Sequence, residues 1–194
     1  MFSTTSRPRR GRLLIMAAIA MVATGLGGSS IVAAQTTDTT HVAQNGGPGG
    51  LTSAQRTVLR QATRQFRDVD AAIAAGYVPT QDCVPEMGLH YVNFALATDS
   101  NIDPTLPEVL VYQPQSDGSA RLGALEFFRL DADQDLATDE DRPTLFGHPF
   151  DGPMEPHPGM PANFKHYDLH VWLYKTNPTG ELNPDNPNVD CNVM

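Results

Sequence analysis

Residues 108–130, EVLVYQPQSDGSARLGALEFFRL, decide the fold class of this chain. Two apolar runs, 108–113 and 121–130, flank the polar segment QSDGS at 115–119, which has the composition of a turn. Runs joined in this way predict an antiparallel hairpin. A further apolar run at 89–96 predicts another strand of the same sheet.

The stretch HYDLHVWLY at 166–174 predicts a strand that completes the sheet. Side chains alternate between the two faces of a strand. One face therefore carries Tyr167, Leu169, Val171 and Leu173, and the other carries His166, Asp168, His170 and Trp172. The pattern leaves open whether the second face is a functional surface or only a solvated one.

An amphipathic helix is expected before the strands. Thr52 and Gln55 have the spacing of an N-terminal capping box, and apolar residues then recur every three to four positions up to Gly76. This spacing predicts a helix over 53–75. A helix followed by strands predicts an α+β domain, in which an N-terminal amphipathic helix packs on an antiparallel sheet with long loops rich in proline and glycine.

The first 34 residues have the pattern of a secretory signal peptide. Four arginines precede an uncharged run that ends in the small residues at 32–34. Cleavage there leaves a flexible linker at 35–50 and a single secreted domain at 51–194. An uncleaved membrane anchor is the alternative, because the uncharged run at 13–34 is nearly long enough to span a bilayer.

Charge limits the classes of partner. The chain has 13 basic and 22 acidic residues, a net charge of −9, and loss of the four signal arginines leaves 9 against 22, or −13. A surface this negative repels nucleic acid and anionic lipid. We expect a metal ion or a small molecule as partner, no nucleic acid, and no stable membrane insertion after signal cleavage.

The two cysteines indicate the compartment. Cys83 and Cys191 both lie in the exported part, where an isolated pair predicts one disulfide in an oxidising, secreted or periplasmic environment. A free thiol or a thiolate metal ligand is the alternative.

Histidines on separate predicted elements indicate a metal site. His90, Glu126 and His170 lie on three predicted strands, and His157 lies in the proline-rich loop. A histidine or glutamate among apolar neighbours is costly to bury unless it is hydrogen-bonded, charge-paired or metal-bound. These four residues therefore predict a site for a transition metal ion, copper or zinc. Asp168 either orients a neighbouring histidine or is a surface residue.

Methionines favour copper over zinc. Met87 lies close to His90 in the sequence, and Met154 and Met160 flank His157. Thioethers favour Cu(I), so that mixed ligation by methionine and histidine is typical of copper sites. Methionine also fills gaps in apolar cores, which is the alternative here.

Five segments together resemble a family of uncharacterised secreted bacterial proteins with G-x-H-Y-x-N and Y-D-L-H-V-W-L signatures. The segments are MGLHYVN (87–93), PEVLVYQP (107–114), LGALEFF (122–128), TLFGHPFDGPM (144–154) and YDLHVWLYKTNPTG (167–180). The resemblance covers roughly the whole domain. It implies export, a single domain and site positions at His90, Glu126, His157 and His170, but it implies no reaction.

Three functions are compatible with these patterns. The first is an exported protein that binds copper or zinc at the His-rich site. The second is a non-metal envelope protein, either structural or binding a small molecule or glycan in a groove formed by Trp172, Tyr174 and the proline-rich loop. The third is a metal-dependent enzyme; the sequence has no G-x-S-x-G or H-E-x-x-H motif that would name a hydrolytic reaction.

Overall fold

A computed structural model describes residues 49–80, 83–157 and 160–193. These residues belong to one unit, His41–Met194. The predicted signal peptide and the predicted linker up to residue 48 lie outside the described residues. Among the helices that are described, none has the length and apolarity needed to cross a membrane.

Antiparallel pairing organises the main sheet, as the sequence predicted. The strands of the described ranges are β1 (Val78–Pro79), β2 (Leu89–Val92), β3 (Val109–Pro114), β4 (Ala120–Leu130), β5 (Thr144–Leu145), β6 (His148–Pro149), β7 (Asp151–Met154) and β8 (His166–Val171). Six of them pair in the order β1-β2-β3-β4-β8-β7, and β5 pairs with β6 separately. The predicted hairpin is β3 and β4, closed by a hydrogen bond of 2.9 Å from the Gln115 amide to the Ser119 carbonyl.

The helical segment before the sheet is divided where a continuous helix was expected. It consists of α1 (Ser53–Thr63), a 3-10 turn (Arg64–Arg67) and α2 (Val69–Ala74). Thr52 and Gln55 form the capping box of α1. Asp68 has an extended backbone and its side chain accepts a hydrogen bond from the amide of Asp70, so that it begins a new helix instead of continuing the first.

One face of the sheet packs against the helical segment to form the main core. Leu59 and Phe66 of this segment belong to the same buried cluster as Leu110, Tyr112 and Phe127 of the hairpin. The hydroxyl of Tyr112 donates to the backbone carbonyl of Phe66 at 2.5 Å, which anchors the 3-10 turn on the sheet. The buried cluster also includes the residues of the apolar face of β8 and its continuation: Tyr167, Leu169, Val171 and Leu173.

The opposite face of the sheet is buried as well, and it carries two small apolar clusters. The first cluster is Val92, Ala97, Val109 and Phe128, with Met160 and Phe164 packed against it. The second cluster is Val111, Ala124, Trp172 and Val189. Along β4, Glu126 lies between Ala124 and Phe128, so that a polar band separates the two clusters on this face.

Three local features differ from the sequence prediction. The strand expected over 89–96 ends at Val92. The Asn93 side chain accepts hydrogen bonds from the amides of Ala95 and Leu96, and it thereby begins α3 (Phe94–Ala97). The proline-rich loop contains β7, which adds an edge strand beside β8. The last strand ends at Val171, before the predicted end at 174.

The predicted disulfide joins Cys83 to Cys191, with Cα atoms 5.6 Å apart. The bond ties the segment before β2 to the C-terminal tail, across a sequence separation of 108 residues. The alternative of a free thiol or a thiolate ligand is therefore excluded for these cysteines in this structure.

Candidate metal centre

Strand register brings the polar residues together on the second face of the sheet. Glu126 of β4 and His170 of β8 are directly opposite each other. Residues opposite each other in an antiparallel pair have Cβ atoms about 4.5–5.5 Å apart, which is close enough for direct contact. His90 lies on β2, two strands away from β4, and β3 between them offers only the short side chains of Val109 and Val111 on this face. Glu126 and His90 therefore meet above β3.

The first group of possible ligands, which we call the Glu126 group, comprises His90, Glu126 and His170. Glu126 Oε2 lies 3.4 Å from His90 Nε2 and 3.6 Å from His170 Nε2. The side chains of Glu126 and His170 are at most 1% exposed, and that of His90 is 11% exposed. The group is thus a buried set of two imidazoles around one carboxylate oxygen.

The second group, which we call the Asp168 group, comprises His157, His166 and Asp168. Asp168 Oδ2 lies 3.4 Å from His157 Nε2 and 3.8 Å from His166 Nε2. Asp168 and His166 alternate with buried apolar residues on β8, whereas His157 follows β7 and reaches the site from the chain that covers this face. The side chain of His157 is 29% exposed, so that this group is more accessible than the Glu126 group.

His170 lies between the two groups. Its Nε2 points toward Glu126, and its Nδ1 lies 3.7 Å from Asp168 Oδ1. The rings of His90 and His157 also stack across the groups, with centroids 6.4 Å apart. Four imidazoles and two carboxylates therefore form one continuous polar band.

Most donor atoms in this band lack a normal hydrogen bond. Both carboxylate oxygens of Glu126, both ring nitrogens of His170 and the Nε2 atoms of His90 and His166 are buried with no hydrogen-bond partner among the described residues. Hydrogen bonds between nitrogen and oxygen are typically 2.7–3.2 Å long, shorter than the separations of about 3.4–3.8 Å found here. Buried polar atoms are normally paired, so these unpaired atoms are available to bind an ion or water.

No protein-family model, curated protein or solved structure matches the chain. The chemistry of the two groups therefore has to follow from their own geometry and charge. Among the described residues, two clusters of histidine, glutamate and aspartate could hold a metal ion.

Asp168 and His170 shift each other's protonation. Burial lowers the pKa of His170, but the negative charge of Glu126 and Asp168 outweighs it and raises the pKa to about 9. Burial tends to raise the pKa of Asp168, but its contacts with His157, His166 and His170 hold that pKa well below its usual value. Asp168 is thus held in its ionised form, which attracts positive charge, whether protons or metal ions.

The pKa values of His90 and His157 shift in opposite directions. Burial lowers the pKa of His90, although Glu126 partly opposes the shift. The contact with Asp168 raises the pKa of His157, against the opposing effect of burial. A neutral imidazole is the form that binds a metal, and His90 is already held in that form.

The predicted ligands divide between the groups. His90, Glu126 and His170 meet in the Glu126 group, as their positions on predicted strands indicated, whereas His157 belongs to the Asp168 group. Sequence reasoning did not assign His166 or the ligand role of Asp168. The signal was present, because residues 166, 168 and 170 share one face of a strand, but His166 stands at the strand entrance.

The other residues singled out by the sequence belong to neither group of possible ligands. Met160 packs against the apolar cluster that contains Phe128, which is the core-filling role. Trp172 is 4% exposed, and its indole N–H donates to the carbonyl of Asn183 at 2.8 Å. Trp172 therefore cannot offer a ring face to a ligand in the expected groove. His148 pairs with Leu145 in the small second sheet and is in neither group.

Proposed function

We propose that this protein binds a transition metal ion, zinc or copper(II), through His90, Glu126 and His170. One observation carries the proposal. The three residues bring ligand atoms within 4.8 Å of one another in a buried space, and those atoms have no hydrogen-bond partner among the described residues.

The separations fit a shared metal ion better than they fit hydrogen bonds. Ligand atoms held at about 2.0–2.1 Å from a tetrahedral ion are roughly 3.3–3.4 Å from one another. Glu126 Oε2 lies 3.4 and 3.6 Å from the two histidine nitrogens. A proton on His170 offsets part of the carboxylate charge, but the distance is too long for a good hydrogen bond. A divalent ion satisfies all three atoms at once.

The donor set favours zinc or copper(II) over copper(I). Imidazole nitrogen and carboxylate oxygen suit zinc and copper(II), whereas copper(I) prefers sulfur. The side chain of Met160 packs against apolar residues, and its backbone amide donates to the carbonyl of His157 at 3.0 Å. The ligand atoms of the Glu126 group are nitrogen and oxygen, with no sulfur among them, and the choice between zinc and copper(II) is decided by measurement.

We also propose that the protein works outside the cytoplasm and belongs to the family of secreted proteins that it resembles. The Cys83–Cys191 disulfide is compatible with an oxidising compartment, where such bonds persist. In that setting the protein would bind metal ions from the surroundings of the cell. The signal peptide predicted over residues 1–34 supplies the route of export.

Metal binding is tested by elemental analysis and competition. Purified chain is stripped with a chelator, reloaded with Zn²⁺ or Cu²⁺, desalted, and analysed for metal content. Glu126→Gln should weaken binding at this group by more than the roughly 10–100-fold caused by changes to residues that only support ligands. The affinity is measured by competition with a chromophoric chelator.

Glu108→Gln is the matched control for this experiment. Glu108 is also a buried carboxylate on the sheet, but its Oε2 accepts a hydrogen bond of 3.0 Å from the amide of Phe128 and it belongs to neither group. This variant should bind metal like the unmodified chain. A chain that takes up neither zinc nor copper, or a Glu126→Gln variant with unchanged affinity, refutes the proposal.

A second candidate function is the binding of a small anionic molecule, because a cationic cleft lies away from the ligand band. The cleft has a volume of about 920 Å³. Its lining includes Arg64, Arg67, Arg121, Lys175, Asp68 and Tyr174. None of the four basic side chains forms a hydrogen bond or ion pair with another described residue, so their charge is available to an anion.

This candidate is tested by titrating the chain with glucuronate, an acidic sugar, in a calorimeter. Binding that is lost in the Arg121→Gln, Lys175→Gln double variant, with unchanged metal content, would support it. Absence of measurable heat with the unmodified chain would refute it for acidic sugars.

A further inference from the structure

The ring of His166 is held in one orientation and one tautomer. Its Nδ1 lies 2.8 Å from the carbonyl oxygen of Phe164, and because a carbonyl can only accept, Nδ1 carries the hydrogen. The ring also stacks on Phe128, with centroids 4.4 Å apart. In the neutral ring Nε2 is therefore a lone pair with a fixed direction. Backbone carbonyls fix metal-binding histidines in this same way.

That lone pair faces a carboxylate. His166 Nε2 is fully buried, has no hydrogen-bond partner among the described residues, and lies 3.8 Å from Asp168 Oδ2. Two electron-rich atoms that face each other in a buried space repel unless a cation lies between them. His157 Nε2 forms a long hydrogen bond of 3.4 Å with the same oxygen, and its nitrogen supplies a third donor atom when a metal ion replaces that proton.

We propose that the Asp168 group binds a second divalent transition metal ion, so that the protein holds a two-metal centre. This inference rests on the proposed metal binding at the Glu126 group and adds a site to it. The separations of 3.4 and 3.8 Å are close to the roughly 3.3–3.4 Å expected between ligands of one tetrahedral ion. Three ligands leave a fourth position to be filled from outside the group.

The carboxylates near the Asp168 group carry enough negative charge to attract a second cation. Asp151 on β7 is directly opposite Asp168 in the strand register, and Glu126 lies on the other side of His170. Three carboxylates therefore surround this part of the band, which one divalent ion does not neutralise. His157 is the most exposed ligand, so the second ion has the shorter path from solvent.

Metal stoichiometry tests the inference directly. The chelator-stripped full chain is loaded with excess Zn²⁺, desalted, and measured by native mass spectrometry and by elemental analysis. The unmodified chain should hold two ions. His166→Gln should hold one, Glu126→Gln should hold one, and the double variant should hold none. His148→Gln, which changes a histidine outside both groups, should still hold two.

Folding of the variants is checked by circular dichroism. If His166→Gln does not fold, His157→Gln replaces it, because His157 is partly exposed and its loss leaves the core intact. A chain that saturates at one ion, with that ion retained in His157→Gln and lost in Glu126→Gln, overturns the second site but leaves the first. A chain that binds no ion overturns both, so the two failures are distinguishable.

Discussion

Glu108 makes the stability of this protein depend on pH in a way that can be measured. Its side chain is buried, and burial raises its pKa from the usual 4.5 to about 8, although the hydrogen bond from the Phe128 amide opposes the shift. The folded chain therefore holds a proton that the unfolded chain releases above about pH 4.5. Because the folded state binds more protons, the contribution of Glu108 to stability is present at low pH and is lost as pH rises toward 8.

The expected size follows from the two pKa values. Each pKa unit is equivalent to about 1.4 kcal/mol, so that between pH 5 and pH 8.5 the contribution of Glu108 to the free energy of unfolding falls by about 4 kcal/mol. Glu108→Gln removes this dependence. Glutamine resembles the protonated acid in shape and still offers an oxygen to the Phe128 amide, so that the variant should fold.

Urea unfolding at the two pH values, with the disulfide intact, measures the effect. The stability difference between the variant and the unmodified chain should shift by about 4 kcal/mol from pH 5 to pH 8.5, in favour of the variant at high pH. Glu140→Gln, at an exposed glutamate, is the control and should leave the difference unchanged. A shift below about 1 kcal/mol for Glu108→Gln would refute a buried, protonated Glu108.

Three further predictions concern the fold. Replacing Cys83 and Cys191 together by alanine should lower the free energy of unfolding by about 4–5 kcal/mol in urea, because the bond closes a loop of 108 residues; a loss below about 1 kcal/mol would contradict this. Leu59→Ala should cost about 2–5 kcal/mol in the same assay, since Leu59 is fully buried, whereas the half-exposed neighbour Val58 should tolerate alanine with little loss. Gly88→Ala should lower the melting temperature by several degrees, because Gly88 has a φ of +119° and an added Cβ would collide with a backbone carbonyl of the neighbouring strand; an unchanged melting temperature would show that the backbone relaxes there.

The strands were the most predictable part of the fold, because their signal is local. The alternation of residues in the 166–174 stretch and the turn at 115–119 depend only on neighbours in sequence, and both agree with the structure. Asp68 and Asn93 show where such reasoning fails. Each side chain hydrogen-bonds to nearby amides and begins a helix, one within a segment expected to be a single helix and the other within an expected strand.

The candidate site was predictable only in part. Side chains alternate between the two faces of a strand whether they are polar or apolar. This alternation placed His90, Glu126 and His170 among apolar residues on the inner faces of their predicted strands. His157 was predicted to join His90, Glu126 and His170 from the proline-rich loop, but it lies in the Asp168 group. His166 and Asp168 shared the face of His170, but a surface role was equally compatible with their positions in the sequence.

The sequence by itself determined which residues of each strand share a face, the hairpin turn at 115–119 and the one possible pairing of two cysteines. These features depend on backbone geometry and on the number of cysteines, and neither requires knowledge of the neighbours in space. Only the tertiary structure decided that the second face of the sheet is buried, that the chain after β7 brings His157 to Asp168, and that Glu126 stands opposite His170. Such contacts arise from strand order and register, which are set by the packing of distant segments.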